Sequence, residues 1–486
     1  GANLTTANST VFIGSNAGQA VTTEGSGTPP ISDGSIGIGK SALSNLTSGT
    51  GNVAVGYNAG TSITTNTNCT FIGYQAGMDA DAANTSPVSC TYIGSRSGEN
   101  IDDGAGGNTA VGYAALFGAT SNANTAANNV AVGVDALFDV TSGGDNVGVG
   151  KSALTALTTG STNIAVGARA LTTITTGSEN TVVGFQSAQA FSNAETGNIS
   201  IGANAMNSFN EGGDGGDINY NIALGLEAFL GGSLAGGTTD VIGNIAIGAY
   251  ALDATSTNAH TGTIAIGHQA LTACTSGSGN IAVGYQAGMA ATDNLRNTVI
   301  GHGAYRYSTS SDDNVVIGFN ALRNAGSAGA GSDKNIAIGS YALDAADGGE
   351  NDNIAIGYDA MGNANNSSTE FNIAIGNYTL DAIAGNLQTG TIAIGHNSLT
   401  ALTSGASNVA IGLDAGKLAT TGGANVYIGW KAADATHVDC TGNIAIGQNA
   451  FGGTHTGTVC HYNTAVGASA LAGAMNGVDG ATAIGF

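Results

Sequence analysis

The segment TGNIAIGQNAFGG (residues 441–453) carries a motif that recurs along the whole chain. Close copies are TGTIAIGHQALTA (261–273) and SGNIAVGYQAGMA (278–290). Their shared core is Asn-x-Ala-Ile/Val-Gly, in which aliphatic residues alternate with Asn and Ala. A period of two predicts a short β-strand with one aliphatic face and one face of small residues.

Aligning the copies on the glycine that ends the core shows how the chain is organised. There are 26 copies between Gly14 and Gly485, and ten of their 25 spacings are 17 residues. No spacing is shorter, and the longest, from Gly14 to Gly39, is 25 residues. A fixed minimum spacing with a variable number of additional residues indicates a coil of constant size that carries outward loops of variable length.

We therefore predict an all-β fold, a repetitive parallel β-solenoid or β-roll of about 26 coils. Residues 1–486 are expected to form a single continuous domain shaped as an elongated rod. Variable loops are expected notably at residues 15–35, 78–89, 207–220 and 230–243. The chain has no signal peptide and does not begin with Met, so we expect a processed chain or a piece of a longer one.

Two columns of the alignment predict specific interactions. Asn occurs four residues before the glycine in 19 of 26 copies. Side chains at one height on successive coils can stack as a ladder of amide hydrogen bonds, which here includes Asn280, Asn297, Asn314, Asn335, Asn353 and Asn372. At the aligning glycine we expect the strand to bend, where a side chain would clash or φ would be positive.

Composition restricts the class of protein. Glycine is 80 of 486 residues, proline only 3, aromatic residues 6% and charged residues 9%. Glycine does not recur every third residue, which excludes collagen, and periodic β-branched residues argue against disorder. The formal net charge of −23 disfavours nucleic acid and anionic membranes as partners. No apolar run reaches the roughly 18 residues of a membrane span.

The cysteines test the predicted stacking. Cys69 and Cys90 replace the column Asn in adjacent coils, and Cys440 and Cys460 both lie seven residues before their glycines, again in adjacent coils. Stacked coils bring such Cα atoms within disulfide range. We predict two bridges, Cys69–Cys90 and Cys440–Cys460, and hence an oxidising, extracellular setting. The alternative is free thiols that pack as small apolar groups, as expected for Cys274, which has no in-phase neighbour.

Candidate catalytic and metal-binding residues are few. His268, His302 and His396 directly follow their glycines in a column that tolerates many residue types, so we interpret them as surface residues. His437, His455 and His461 cluster near the last two cysteines and form a weak candidate metal site. Glu211, Asp214 and Asp217 lie in an acidic, glycine-rich loop that could hold Ca²⁺, although solvated turns are the simpler interpretation. No hydrolase, zinc-protease or phosphate-binding motif is present, and no other cofactor is expected.

The repeats NIAIGYDAM (353–361), NTAVGYAAL (108–116) and NVAVGYNAG (52–60) resemble the head repeats of trimeric autotransporter adhesins, and equally the β-roll repeats of phage tail fibres. The resemblance covers nearly the whole chain. It implies a left-handed β-roll in a three-chain bundle. The coil here is longer than in the adhesin heads, and no heptad stalk or membrane-anchor barrel is present.

Three functions are compatible with these observations. The first is a non-enzymatic extracellular fibre or adhesin on a cell or virion surface, which binds surface glycans or a host receptor through its loops. The second is a filament subunit that polymerises end to end through uncapped solenoid ends. The third is a glycan-cleaving tail spike, for which no carboxylate pair can be identified from the sequence. In the first two, copies of the chain are its main partners.

Overall fold

The computed structural model describes residues 9–21, 33–80, 89–101, 106–120, 124–209, 216–232, 240–255, 260–326, 331–365, 369–383, 388–435, 439–453, 460–473 and 477–486. The chain divides into two compact units, Gly1–Gly243 and Asn244–Phe486. Within the described residues both units are all-β, with no helix. Each unit is a parallel β-solenoid with one strand before each aligning glycine, as predicted. The single domain over residues 1–486 and the handedness of the coil stay predictions.

In its described residues, the first unit contains twelve three-residue strands that pair in parallel with the next one along the chain, and two shorter strands, β12 and β14, that pair with each other. The strands are β1 (Val11–Ile13), β2 (Ile36–Ile38), β3 (Val53–Val55), β4 (Thr70–Ile72), β5 (Thr91–Ile93), β6 (Thr109–Val111), β7 (Val130–Val132), β8 (Val147–Val149), β9 (Ile164–Val166), β10 (Thr181–Val183), β11 (Ile199–Ile201), β12 (Ile218–Asn219), β13 (Ile222–Leu224) and β14 (Val241–Ile242).

The described part of the second unit contains fourteen three-residue strands, which brings the total in the described ranges to 26, and one shorter strand, β16. The strands are β15 (Ile245–Ile247), β16 (His260–Thr261), β17 (Ile264–Ile266), β18 (Ile281–Val283), β19 (Thr298–Ile300), β20 (Val315–Ile317), β21 (Ile336–Ile338), β22 (Ile354–Ile356), β23 (Ile373–Ile375), β24 (Ile392–Ile394), β25 (Val409–Ile411), β26 (Val426–Ile428), β27 (Ile444–Ile446), β28 (Thr464–Val466) and β29 (Thr482–Ile484).

Register within each unit follows the repeat. In the second unit, Ile336, Ala337 and Ile338 pair with Ile354, Ala355 and Ile356. The central residue of each strand points inward: Ala337 and Ala355 are fully buried, while the flanking isoleucines are partly exposed. The small face therefore lines the core, and the aliphatic face points outward.

The aligning glycine is required for two reasons. Gly150 has a φ of +135°, and a Cβ atom on it would lie 2.5 Å from the carbonyl oxygen of Gly167 in the next coil. Real Cβ atoms do not approach backbone oxygen so closely, and a side chain is also strained at this φ. The strand ends here because the backbone must turn where the coils are closest.

The segment after the glycine is a series of turns rather than a second strand. The second and fourth residues after Gly150, Ser152 and Leu154, have φ of +57° and +54°. Alternating left-handed residues prevent an extended conformation. The segment is nevertheless tied to its neighbours, because Ser152 N–H donates to Val134 O at 2.8 Å and Leu154 N–H donates to Ala170 O at 3.1 Å.

Candidate interaction surfaces

The column asparagines form a buried ladder. Asn163 donates from its backbone N–H (2.9 Å) and its Nδ2 (3.1 Å) to Oδ1 of Asn146, and its Nδ2 also donates to Gly177 O at 2.9 Å. Its own Oδ1 accepts the same two bonds from Asn180. The six asparagines named from the sequence are joined in the same way, from Asn280 to Asn372. This ladder holds the coils together and offers nothing to a ligand.

The two predicted disulfides have different outcomes. Cys440 and Cys460 are bonded, with their Cα atoms 4.9 Å apart. The Cys69–Cys90 bridge is wrong for this structure, in which both residues are buried thiols. A hydrogen bond between these two thiols lowers the pKa of Cys90 to about 7 and raises the pKa of Cys69.

The difference follows from the column that each pair occupies. Cys69 and Cys90 replace ladder asparagines, and their sulfur atoms take part in the ladder: Cys90 accepts the backbone N–H of Asn108 in the next coil. Cys440 and Cys460 contribute only carbonyl oxygens to the ladder, as acceptors from Asn425 and Asn443. Their sulfur atoms take no part in these hydrogen bonds and are joined to each other.

Cys274 is a buried thiol, and burial raises its pKa to about 12. A thiol with so high a pKa is a weak nucleophile at neutral pH. Its role is that of a small core residue.

The candidate metal sites gain no support. Glu211, Asp214, His437 and His455 lie outside the described residues, as do the middle parts of the four predicted loops. Asp217 is exposed, and its N–H donates to Asp240 Oδ1 at 3.3 Å. His461 Nδ1 accepts the Thr441 N–H at 3.2 Å. Among the described residues, no group of three or more His, Cys, Asp or Glu side chains is arranged to hold a metal ion.

The outward face of the strands is a continuous apolar surface in each unit. Every three-residue strand begins with Val, Ile or Thr and ends with Val or Ile, except that β13 ends with Leu224. These side chains are partly exposed, for example Ile164 at 41% and Ile300 at 39%. We call these two columns the aliphatic stripe. It contains no charged residue, although the whole chain carries a net charge of −23.

A column of aromatic rings runs beside the stripe in the second unit. Nine rings follow one another with centroids 4.9 to 6.0 Å apart. They are Tyr250, His268, Tyr285, His302, Phe319, Tyr341, Tyr358, Tyr378 and His396. Where neighbouring rings stack face to face, as Tyr285 and His302 do at 19°, they cover each other's faces and present edges outward. This stacking is confined to the four rings from His268 to Phe319, and the other five contacts of the column are edge-to-face.

Sequence analysis missed the aromatic column as a structure. Alignment on the glycine placed His268 and Tyr285 one residue after it, but Tyr250 and Tyr341 two residues after it. The rings from both positions meet on the same edge of the coil. A count over both positions together would have revealed them.

No protein-family model matches the chain, and no curated protein is similar enough to count as a relative. Within the described ranges, no helix is long and apolar enough to cross a membrane.

Proposed function

We propose that this chain is a non-enzymatic structural and adhesive fibre protein that works outside the cell, on a cell or virion surface. The observation that carries the proposal is the aliphatic stripe. Exposed apolar surfaces that extend over many residues mark sites of association. A face that repeats with every coil is best matched by a face with the same repeat, so we infer that copies of this chain pack against one another along the stripe.

Two further observations support an extracellular fibre. The buried residues of each coil come from the Asn-x-Ala-Ile/Val-Gly motif and the turns after it. The sequences of the spacer loops can therefore vary without disturbing the core, and the loops can recognise a glycan or receptor. The Cys440–Cys460 disulfide suits an oxidising compartment. The arrangement of three chains stays an expectation from the resemblance to adhesin heads and tail fibres.

Sedimentation velocity tests the proposal. The wild-type chain is expected to sediment as an oligomer, and a variant with Ile336→Lys, Ile354→Lys and Ile373→Lys is expected to shift towards the mass of one chain. Three adjacent ammonium groups on the stripe cannot be buried without a large desolvation cost. The matched control replaces the same three residues with Thr, which occurs naturally at this strand position in β4, β5 and β6.

Two results would contradict the proposal. A wild-type chain that stays monomeric at all concentrations would show that the stripe does not join copies. Release of new reducing ends from surface polysaccharides by the purified chain would show that it is an enzyme, as a tail spike would be.

A further inference from the structure

Two arginines occupy the same position in successive coils of the second unit. Arg306 and Arg323 each lie five residues after their aligning glycines, Gly301 and Gly318. Both are half-buried. The backbone keeps them in register, because Tyr307 N–H donates to Arg323 O at 2.8 Å.

The two guanidinium groups share one aromatic ring. Arg306 Cζ lies 5.0 Å and Arg323 Cζ lies 5.3 Å from the centroid of the Tyr307 ring. Both distances are within the range of a cation–π interaction. The ring therefore holds both positive charges within 5.3 Å of its centre, and a negative charge near the ring would interact favourably with both.

Neither guanidinium has an acceptor in the described part of the chain. Nε of Arg306 and Nε of Arg323 are buried without a hydrogen-bond partner, and neither side chain forms an ion pair. The sequence places no Asp or Glu in the undescribed segments of the second unit. The carboxylate of Asp344, one coil further on, feels the charge of Arg323 but lies too far away for an ion pair.

Four cations of this acidic chain form ion pairs among the described residues: Arg96, Arg296, Lys417 and Lys431. Arg296 donates to both carboxylate oxygens of Asp313, at 2.6 and 2.9 Å, and Lys417 lies 3.2 Å from Asp414. Buried polar groups without partners are uncommon in folded proteins, and a bound water or ligand is one explanation for them. Arg306 and Arg323 thus differ from these four cations in having no carboxylate partner.

We propose that Arg306 and Arg323 form a binding site for a single oxyanion group, the carboxylate or sulfate of an acidic sugar. Planar guanidinium groups bind such oxyanions through paired, charge-assisted hydrogen bonds. A polyanion is disfavoured because the net charge of −23 repels every further negative group. This inference goes beyond the proposed fibre role and does not depend on self-association.

Isothermal titration calorimetry with sodium sulfate and with sodium glucuronate, at constant ionic strength in chloride, tests the site. We expect saturable binding of at least one anion to the wild-type chain. In the variant with Arg306→Gln and Arg323→Gln, binding is expected to weaken by roughly tenfold or more, the loss of about one charge-assisted hydrogen bond. Preference between the two anions separates sulfated sugars from uronic acids.

The matched control is Arg296→Gln, which removes one exposed positive charge that Asp313 already neutralises. It is expected to bind the anion as the wild type does. Equal binding by the wild type and the double variant would overturn the proposal. A sedimentation change in the double variant without any change in anion binding would also overturn it, because the arginines would then serve a contact between copies. Circular dichroism of both variants verifies that they fold.

Discussion

Gly98 packs so closely against the ring of Tyr92 that a Cβ atom on Gly98 would lie 2.5 Å from ring atoms Cδ2 and Cε2. Both residues belong to one coil, where Tyr92 is the centre of β5 and Gly98 lies four residues after Gly94. The next coil reverses the sizes, with Ala110 at the strand centre and Leu116 at the turn position, both fully buried. A large side chain at one position thus requires a small one at the other.

The first prediction tests this reciprocity. Gly98→Leu is expected to destabilise the chain by about 1–3 kcal/mol through overpacking, and Tyr92→Ala by about 3–5 kcal/mol through the cavity it leaves. The double variant recreates the arrangement of Ala110 and Leu116. Its loss in free energy of unfolding is therefore expected to be smaller than the sum of the losses of the two single variants. Denaturant midpoints of the four proteins measure the coupling. Additive losses would show that the two positions do not share one space.

A second prediction concerns the small face of the strands. Ala355 is fully buried and pairs with Ala337 and Ala374 in the neighbouring strands. Ala355→Leu is expected to destabilise the second unit by ~1–3 kcal/mol because the core has no room for three more carbon atoms. Ile354→Thr, on the outward face, is the control and is expected to have little effect. Unchanged thermal unfolding of Ala355→Leu would mean that the strand faces the other way.

A third prediction concerns the asparagine ladder. Asn163→Ala removes the acceptor of the Asn180 N–H and Nδ2 groups, both in a buried region. An unsatisfied buried donor costs about 1–3 kcal/mol. We expect faster hydrogen exchange at the Asn180 amide and a lower melting temperature. Asn45→Ala changes an exposed asparagine and serves as the control; equal effects of the two variants would contradict a structural role for the ladder.

The fourth prediction concerns pH. Burial, with a smaller contribution from the charge of Asp359, raises the pKa of Asp344 to about 6 from 3.8. The folded state then binds the proton more tightly than the unfolded state, so this group destabilises the fold as pH rises from about 4 to above 6. Asp344→Asn is expected to melt higher than the wild type at pH 7, with a difference that shrinks as the pH falls towards 4. A difference that grows on acidification would contradict this.

Asp313→Asn provides a comparison of opposite sign. A hydrogen bond from Arg296 lowers the pKa of Asp313. Its contribution to stability is present above the unfolded pKa and is lost on acidification. The Asn variant is therefore expected to melt no higher than the wild type at pH 7.

The strand, its aliphatic and small faces and the need for glycine followed directly from the repeat, because each depends on neighbours within one coil or on an identical residue in the next. The turn after the glycine did not. Leu116 and Leu154 have positive φ, and leucine is not a residue from which a left-handed conformation is normally inferred. One feature of the sequence did indicate this conformation: no copy has Val, Ile or Thr four residues after the aligning glycine. These β-branched residues are the least compatible with positive φ.

The cysteines show a second limit. Their positions relative to the aligning glycines placed Cys69 beside Cys90 and Cys440 beside Cys460. Position alone does not tell whether a residue takes part in the ladder through its side chain or through its carbonyl oxygen. Arg306 and Arg323 were equally visible as a pair 17 residues apart. The sequence analysis did not single them out, because what distinguishes them is the lack of hydrogen-bond acceptors. That lack is visible only when the positions of the neighbouring side chains are known.

The asparagine ladder also bears on how the gene for such a chain can change. Asn146, Asn163 and Asn180 repeat the same bonds at intervals of 17 residues. If residues 163–179 were deleted, Asn180 would meet Asn146 in the geometry that Asn163 has now. Loss of one 17-residue repeat by replication slippage would therefore leave the fold of the remaining coils unchanged. Selection on the number of repeats then has to act on the function of the protein and not on its folding.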